Sequence, residues 1–124
     1  MSLSQRNNFY AVDWHEAKPH LMEALDGYDP SAEIEAGLAF PFFIDGAYAL
    51  VRTEAFEMVV IAFAGTHKLE KACAFFYDLA KAIKAKTIRL HTQRRGFLPF
   101  VQSIGYPFEL AEKRGQEHIL RLVV

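Results

Sequence analysis

The sequence predicts an α/β domain in which helices pack on a mostly antiparallel sheet. Three observations carry this prediction. Asp45 and Gly46 separate two strand-like runs and are a strong hairpin signal, because both turn positions tolerate positive φ. The apolar run 59–65 ends in glycine and is followed by a helical stretch from Thr66 to about Lys84. A strand, a second helix and a closing pair of strands around residues 114–115 come next.

The bulk composition fits one globular domain spanning residues 1–124. Hydrophobic residues make up 52% of the chain and aromatic residues 14%, which is enough for a dense core rather than a disordered segment. A formal net charge of −1 gives no electrostatic reason to expect a nucleic acid or an anionic membrane as partner.

The cysteine count and the apolar runs indicate a soluble protein of the cytoplasm. Cys73 is the single cysteine, so no internal disulfide can form, and a reducing compartment suits it. No apolar run approaches the roughly 20 residues that span a bilayer. Residues 1–6 lack the apolar core of a signal peptide.

The first half of the chain predicts a strand at 9–12 and a helix from Asp13, as N-cap, to about Leu25. A short second helix at 31–37 would have Ser31 as its cap. Three antiparallel strands follow at 39–44, 47–52 and 56–64. Because neighbouring strand residues alternate, Phe42 and Phe43 must face opposite sides of the sheet.

The second half predicts a helix with one apolar stripe, capped by Thr66, then a strand at 87–92 and a helix at 96–104. The stripe consists of Leu69, Cys73, Phe76, Ala80 and Ile83. The last strand, 117–124, has an apolar edge with no visible blocker and could pair with a second copy, which predicts a possible homodimer.

Two segments of this half resemble the GCN5-related N-acetyltransferase (GNAT) superfamily. Residues 79–90 resemble the helix that runs into its fifth strand, and residues 100–106 resemble its pattern Phe-Tyr-x-x-Leu-Gly-Phe. Arg94, Arg95 and Gly96 are similar to the entry of compact phage-encoded members. The resemblance implies a mixed, mostly antiparallel sheet with helices on both faces. It also implies that the protein is located in the cytoplasm of a bacterial or phage-infected host cell.

The resemblance also implies a site for acetyl-coenzyme A (acetyl-CoA) as cosubstrate, without a metal. In the family, the strands equivalent to 56–64 and 87–92 splay apart, the pantetheine arm lies between them, and the pyrophosphate meets the next helix N-terminus, whose free amides favour anions. Ile61, Phe63 and Gly65 would then line the arm. The phosphates would meet Gly65, Thr66, His67 and Lys68.

The chain departs from the family pattern at three positions. The pyrophosphate loop of the family reads Arg/Gln-x-x-Gly-x-Gly/Ala, and its two glycine positions fall on His67 and Leu69 here. Members that protonate the leaving thiolate with a tyrosine carry it at the position of Val101, and valine has no proton to donate. Because His67 and Leu69 replace both glycines, the pyrophosphate loop is degenerate.

Glu57 is the candidate general base. Residues 57–63 resemble the strand of the histone-acetylating branch whose first residue is the catalytic glutamate. Alternation would place Glu57 on the face of Val59, Ile61 and Phe63, where apolar neighbours would raise its pKa as a base requires. The alternative is an exposed glutamate at a frayed strand start.

Other polar residues have ordinary structural explanations beside functional ones. His15 and His20 are five residues apart, about 140° around a helix, which does not suit a shared metal ion. His91 ends a strand beside the expected cleft and could carry protons, or is simply polar. Arg94 and Arg95 could grip a phosphate or an acidic partner, or cap a helix.

The function expected from the resemblance is acetyl-CoA-dependent N-acetylation of a primary amine, on a small molecule or a protein, by direct attack. Asp29, Glu33 and Glu35 lie where the family binds its acceptor and favour a cationic one. The alternative is a non-catalytic binding protein, or a phage structural or accessory protein, that keeps the fold without the CoA site. Leu69 and Val101 favour this alternative.

Overall fold

The computed structural model describes residues 9–65 and 67–124. Within these residues the predicted order of elements is confirmed, with bounds that shift by a few residues. The elements are β1 (Phe9–Ala11), α1 (Trp14–Leu25), α2 (Ser31–Glu35), β2 (Ala39–Ile44), β3 (Ala47–Glu54), β4 (Glu57–Ala64), α3 (Leu69–Ala82), β5 (Thr87–Thr92), α4 (Phe97–Ser103), β6 (Glu109–Arg114) and β7 (Glu117–Val123).

The seven strands form one mixed sheet in the order β1-β2-β3-β4-β5-β7-β6. β4 and β5 are parallel, because α3 carries the chain back between them, and every other neighbouring pair is antiparallel. Helix α1 packs on one face, and α3 and α4 pack on the other. The predicted mixed, mostly antiparallel sheet with helices on both faces is confirmed.

The two faces of the sheet bury cores of different size. The larger core lies under α3 and α4 and includes Met58, Phe76 and Leu120. The smaller one places Leu21 of α1 on Leu50 of β3. Phe42 and Phe43 face opposite sides as predicted, since the Phe42 ring lies 5.2 Å from that of Phe75 and the Phe43 ring 5.3 Å from that of Tyr48.

The helix ends confirm one predicted cap and correct another. The Asp13 carboxylate accepts a hydrogen bond from the Glu16 amide at 2.9 Å and caps α1. Ser31 does not cap α2; its amide and hydroxyl donate to Asp29, which closes the preceding turn. Helix α3 begins at Leu69 after Lys68, and the predicted cap Thr66 lies outside the described residues.

The α3 stripe faces the core through Cys73, Phe76 and Ala80, whereas its last predicted member, Ile83, is exposed at the helix end. Among the described residues, no helix is long and apolar enough to cross a membrane.

The last strand is not at the edge of the sheet. β7 pairs with β5 on one side and with β6 on the other, so the predicted free edge of β7 is wrong, and the homodimer stays a prediction. The edge strand on this side of the sheet is β6, whose six residues Glu109–Arg114 are all exposed and mostly charged. Charged side chains on an edge strand oppose pairing with another chain.

Candidate active site

Strands β4 and β5 separate before they end. They pair over only four positions, residues 57–60 with residues 87–90. Farther along, Ala62, Phe63 and Ala64 pair with β3, and His91 and Thr92 pair with β7. Among the described residues, no strand lies between these two segments. The gap expected between β4 and β5 is therefore present, just before the start of α3.

A β-bulge at Ile61 changes which face each residue of β4 occupies. Leu50 pairs with Ala62 and its neighbour Val51 pairs with Val60, so Ile61 is an extra residue on β4. Ile61 packs with the core under α1, and Phe63 packs with the core under α3. The predicted common face for Glu57 and Phe63 is therefore wrong, because simple alternation does not continue through a bulge.

The β4 side of the gap is apolar and accessible. Ile61, Phe63, Ala64 and Gly65 are each only partly buried. Gly65 approaches β3 so closely that a Cβ atom there would lie 2.5 Å from the Ala47 Cβ. A side chain at this position would displace the strand end, so glycine is required here by packing against β3.

The loop before α3 keeps the left-handed backbone conformation of a glycine-rich loop, although the residue in that conformation is not glycine. His67 has φ of 59°, a left-handed conformation, and it occupies one of the two positions where the family pattern has glycine. At the other position, Leu69 begins α3 and packs against the core. Thr66, predicted to meet the phosphates, lies outside the described residues.

The lysines at the start of α3 are bound to the β2–β3 turn. Asp45 Oδ2 lies 3.3 Å from Lys68 Nζ and 2.6 Å from Lys71 Nζ. Hydrogen bonds from Lys71 and Lys68 hold the pKa of Asp45 below its usual value. Lys68, predicted to meet the phosphates, is thus paired with a carboxylate in this structure, and a phosphate would have to compete with it.

The face of the sheet that carries α1 also carries, beyond that helix, a continuous chain of ion pairs. The sequence analysis did not predict these ion pairs. The chain links α2, β3, β5, β4 and β7 through five contacts of 2.5–3.1 Å. Its members alternate in sign, so the network is nearly neutral. In order they are Glu33, Arg52, Glu54, Arg89, Glu57 and Arg121.

Glu57 is a central member of this chain. Its carboxylate accepts hydrogen bonds from Thr87 Oγ1 at 2.9 Å, Arg89 Nη1 at 3.1 Å and Arg121 Nε at 2.5 Å, and its side chain is 15% exposed. Burial by itself raises the pKa of Glu57, but the hydrogen bonds from Arg121 and Thr87 and the arginine charges outweigh it. The pKa is lowered, so the predicted raised pKa is wrong.

The same geometry also excludes the alternative of a frayed, exposed Glu57. A general base needs a free lone pair and a pKa near the working pH, and here the oxygens are occupied by donors and the pKa is low. The contacts favour a role in which Glu57 holds Arg89 and Arg121. The catalytic role of Glu57 stays a prediction.

A polar cleft of about 330 Å³ lies over this face of the sheet. His91 lines it, at the first position of β5 beyond the pairing with β4. His91 Nδ1 lies 3.0 Å from Glu117 Oε1 on β7. The buried Nε of Arg89 has no hydrogen-bond partner among the described residues. The other charged lining residues include Arg52, Glu54, Glu112, Arg114 and Arg121.

The signal for this cleft in the sequence is the alternation of polar and buried aliphatic residues along β5, together with Arg121 between two leucines on β7. Arg89 and His91 on β5, and Arg121 on β7, alternate with buried aliphatic residues. Such alternation indicates one polar sheet face. The strand order places β7 next to β5 and β6 on the far side of β7. This arrangement, which the alternation does not reveal, brings the polar residues together around a cleft.

The remaining candidates occupy structural positions. Val101 is 0% exposed in the core, so the position of the family tyrosine has neither a hydroxyl nor access to solvent. Burial raises the pKa of Cys73 to about 12, which makes the thiol unreactive at neutral pH. His20 stacks on Tyr48 at 4.2 Å between ring centroids. Arg95 is exposed before α4.

Comparison with known proteins supports the fold. No protein-family model and no curated protein matches the chain. Among solved structures, an acetyltransferase of Bacillus subtilis in complex with CoA is 15% identical, with a TM-score of 0.68 over 94% of this chain and 98% of that one. An IAA acetyltransferase from Bacillus cereus is 11% identical, with a TM-score of 0.69 and the same coverage.

A third similar structure is the ribosomal-protein-S18-alanine N-acetyltransferase of Escherichia coli. It is 14% identical, with a TM-score of 0.63 over 94% of this chain and 92% of that one. All three alignments extend over nearly the whole chain. The chain therefore has the GNAT acetyltransferase fold, as the resemblance in its sequence predicted.

Proposed function

We propose that this protein binds acetyl-CoA and transfers the acetyl group to a primary amine by direct attack. The observation that carries the proposal is the gap between β4 and β5. A mixed sheet would be more stable with these strands paired along their whole length, because each unpaired strand edge gives up backbone hydrogen bonds. A ligand that supplies amide groups and an extended arm can take the place of the missing pairing.

The residues along the gap fit the parts of acetyl-CoA. Ile61 and Phe63 offer partly exposed apolar surface to the pantetheine arm. The amides from Gly65 to Lys68 and the start of α3 would meet the pyrophosphate, whose charge suits a helix N-terminus. Acetyl-CoA supplies the activated acyl group, and strand amides near Phe63 would polarise its carbonyl.

The acceptor amine would enter from the polar cleft on the face of the sheet that carries α1. His91 lines this cleft and directly follows Leu90, the last β5 residue paired with β4, so an amine beside His91 could approach a carbonyl held between the strands. The expected preference for a cationic acceptor has weaker support, since Glu33 is paired with Arg52 and Asp29 accepts hydrogen bonds from Ser31.

A second candidate, a binding or structural protein without catalysis, is favoured by one specific observation. Asp45 already neutralises Lys68 and Lys71, the cations nearest the expected phosphate position. With these ion pairs formed, the pyrophosphate would meet backbone amides at this helix start but would compete with Asp45 for the two lysines.

Titration calorimetry with acetyl-CoA distinguishes the two candidates. We expect saturable binding, and weaker binding of ADP, which has a pyrophosphate and no pantetheine arm. Release of free thiol in the presence of a panel of primary amines then tests turnover. The absence of both heat and a thermal shift at millimolar acetyl-CoA would overturn the proposal and leave the binding or structural protein.

A further inference from the structure

His91 and Glu117 form a pair that the ion-pair chain does not include. The imidazole Nδ1 lies 3.0 Å from Glu117 Oε1, and the His91 side chain is 24% exposed, so the ring is both fixed and accessible. A carboxylate bound to one ring nitrogen holds the proton there and leaves the other nitrogen as the proton acceptor. Here that acceptor is Nε2.

The position of His91 in the sheet places the pair beside the gap between β4 and β5. β5 pairs with β4 through Leu90, and His91 is the next residue, where the gap opens. His91 pairs with Ile119 across β5 and β7, so its side chain lies on the sheet face that carries Arg89 and Arg121. An imidazole thus stands where the gap meets the polar cleft.

We propose that His91, oriented by Glu117, accepts the proton of the attacking amine. The inference rests on the proposed function. The amine nitrogen forms a bond to the acyl carbon and the carbon–sulfur bond breaks, while Nε2 takes one proton from nitrogen. The imidazolium then gives that proton to the departing sulfur, so amine and thioester become amide and thiol in balance. His91 is therefore the general base, the role that the sequence analysis predicted for the Glu57 carboxylate.

The charges around His91 suit this role. Glu117 and Arg121 face it from β7, Arg89 from its own strand, and Glu112 and Arg114 from β6. Glu112 and Arg114 are bound to each other, and Arg89 and Arg121 are bound to Glu57. Glu117 is therefore the carboxylate that directly contacts the ring, and the arginines nearby are already neutralised.

The test is His91→Gln, with His118→Gln as the matched control. His118 is the nearest histidine in the sheet, and alternation along β7 places it on the opposite face from Ile119, the partner of His91. We expect His91→Gln to lower kcat by about 100-fold or more, with the Kd for CoA unchanged. The pH profile of kcat/KM should lose its acidic limb. His118→Gln should behave as the wild type.

The role of Glu117 has a readout that does not need turnover. Nitrogen-15 NMR of the ligand-free protein should show the His91 proton on Nδ1, and Glu117→Gln should alter that tautomer while Glu117→Asp retains it. Glu117→Gln should lower kcat by roughly 10-fold, as the loss of a group that orients a catalytic residue does.

Three outcomes overturn the inference, and they differ from one another. If His91→Gln keeps the wild-type pH profile and Glu57→Gln loses it, then Glu57 is the base. If the proton of His91 lies on Nε2, then the pair does not have the geometry required. If wild-type protein neither binds CoA nor releases thiol, the proposed function fails and this inference fails with it.

Discussion

At the scale of single residues, the carboxylates of Glu57 and Glu117 differ in the groups that surround them. Glu57 has two arginines and a hydroxyl on its oxygens, whereas Glu117 contacts one imidazole. A carboxylate saturated by donors holds its neighbours in place, and a carboxylate on an imidazole fixes a proton position. The two residues therefore have different parts in the proposed chemistry, although both are glutamates on the same side of the sheet.

The lowered pKa of Glu57 makes a prediction about stability. The folded state binds the charged form better than the unfolded state does, so this carboxylate stabilises the fold above its ordinary pKa, and the effect disappears as pH falls through the lowered value. Glu57→Gln should reduce the free energy of unfolding by about 1–3 kcal/mol at neutral pH, because two arginines lose their partner.

Urea unfolding measured near neutral pH and again in acid checks this. The difference between wild type and Glu57→Gln should shrink in acid, where the wild-type carboxyl is protonated. Glu35→Gln is the control, since Glu35 is exposed on α2. A difference that is the same at both pH values would contradict the assignment of charge to Glu57.

At the scale of elements, the turn between β2 and β3 controls the start of α3. Asp45 and Gly46 both have positive φ, and Asp45 binds Lys68 and Lys71. Asp45→Asn removes the charge and keeps the turn, because Asn-Gly favours the same turn. We expect acetyl-CoA to bind Asp45→Asn on the order of fivefold more tightly, because Lys68 and Lys71 become available for charge-assisted contacts with the phosphates.

Calorimetry on Asp45→Asn and on the control Asp29→Asn measures the effect, since the Asp29 carboxylate accepts hydrogen bonds from Ser31 and not from a lysine among the described residues. Raising the salt concentration should bring the two variants closer together, because the gain is electrostatic. Unchanged affinity in Asp45→Asn would mean that the lysines do not reach the phosphates and would favour the binding or structural candidate.

The sequence predicted the individual helices, strands and turns better than it predicted how the strands pair and which residues meet across them. Asp13, the hairpin at Asp45 and Gly46, and the strand at 87–92 are local signals, and each is confirmed. The bulge at Ile61 escaped prediction, because the run 57–64 is nearly all apolar and does not show its alternation. The interior position of β7 and the ion-pair chain depend on strand order and register, which a single sequence does not contain.

At the scale of the whole molecule, the sheet consists of two parts joined by a short parallel ladder. Strands β1 to β4 form one antiparallel part, and β5, β7 and β6 form the other. Four residue pairs connect the parts, supported by the ion pairs of Glu57 with Arg89 and Arg121. The main core under α3 crosses this boundary, since Met58 and Val60 pack with Ile88 and Leu90.

Hydrogen exchange should reveal this division. Without ligand, amides in residues 61–64 and 91–92 should exchange faster than those in residues 57–60 and 87–90, because the first group borders the gap. Acetyl-CoA should slow exchange in the first group and have little effect on β1 and β6. Protection confined to the β6–β7 hairpin would instead place the ligand outside the gap.

The extra residue at position 61 would allow one strand to serve the two proposed substrates separately. Before it, β4 presents Glu57 to Arg89 and Arg121, which line the polar cleft. After it, the strand presents Phe63 toward α3 and an open backbone edge to the gap. Changes of sequence on one side of this residue need not disturb the register on the other. Under the proposed function, the residues that meet the amine could therefore change while those that meet the thioester donor stay the same.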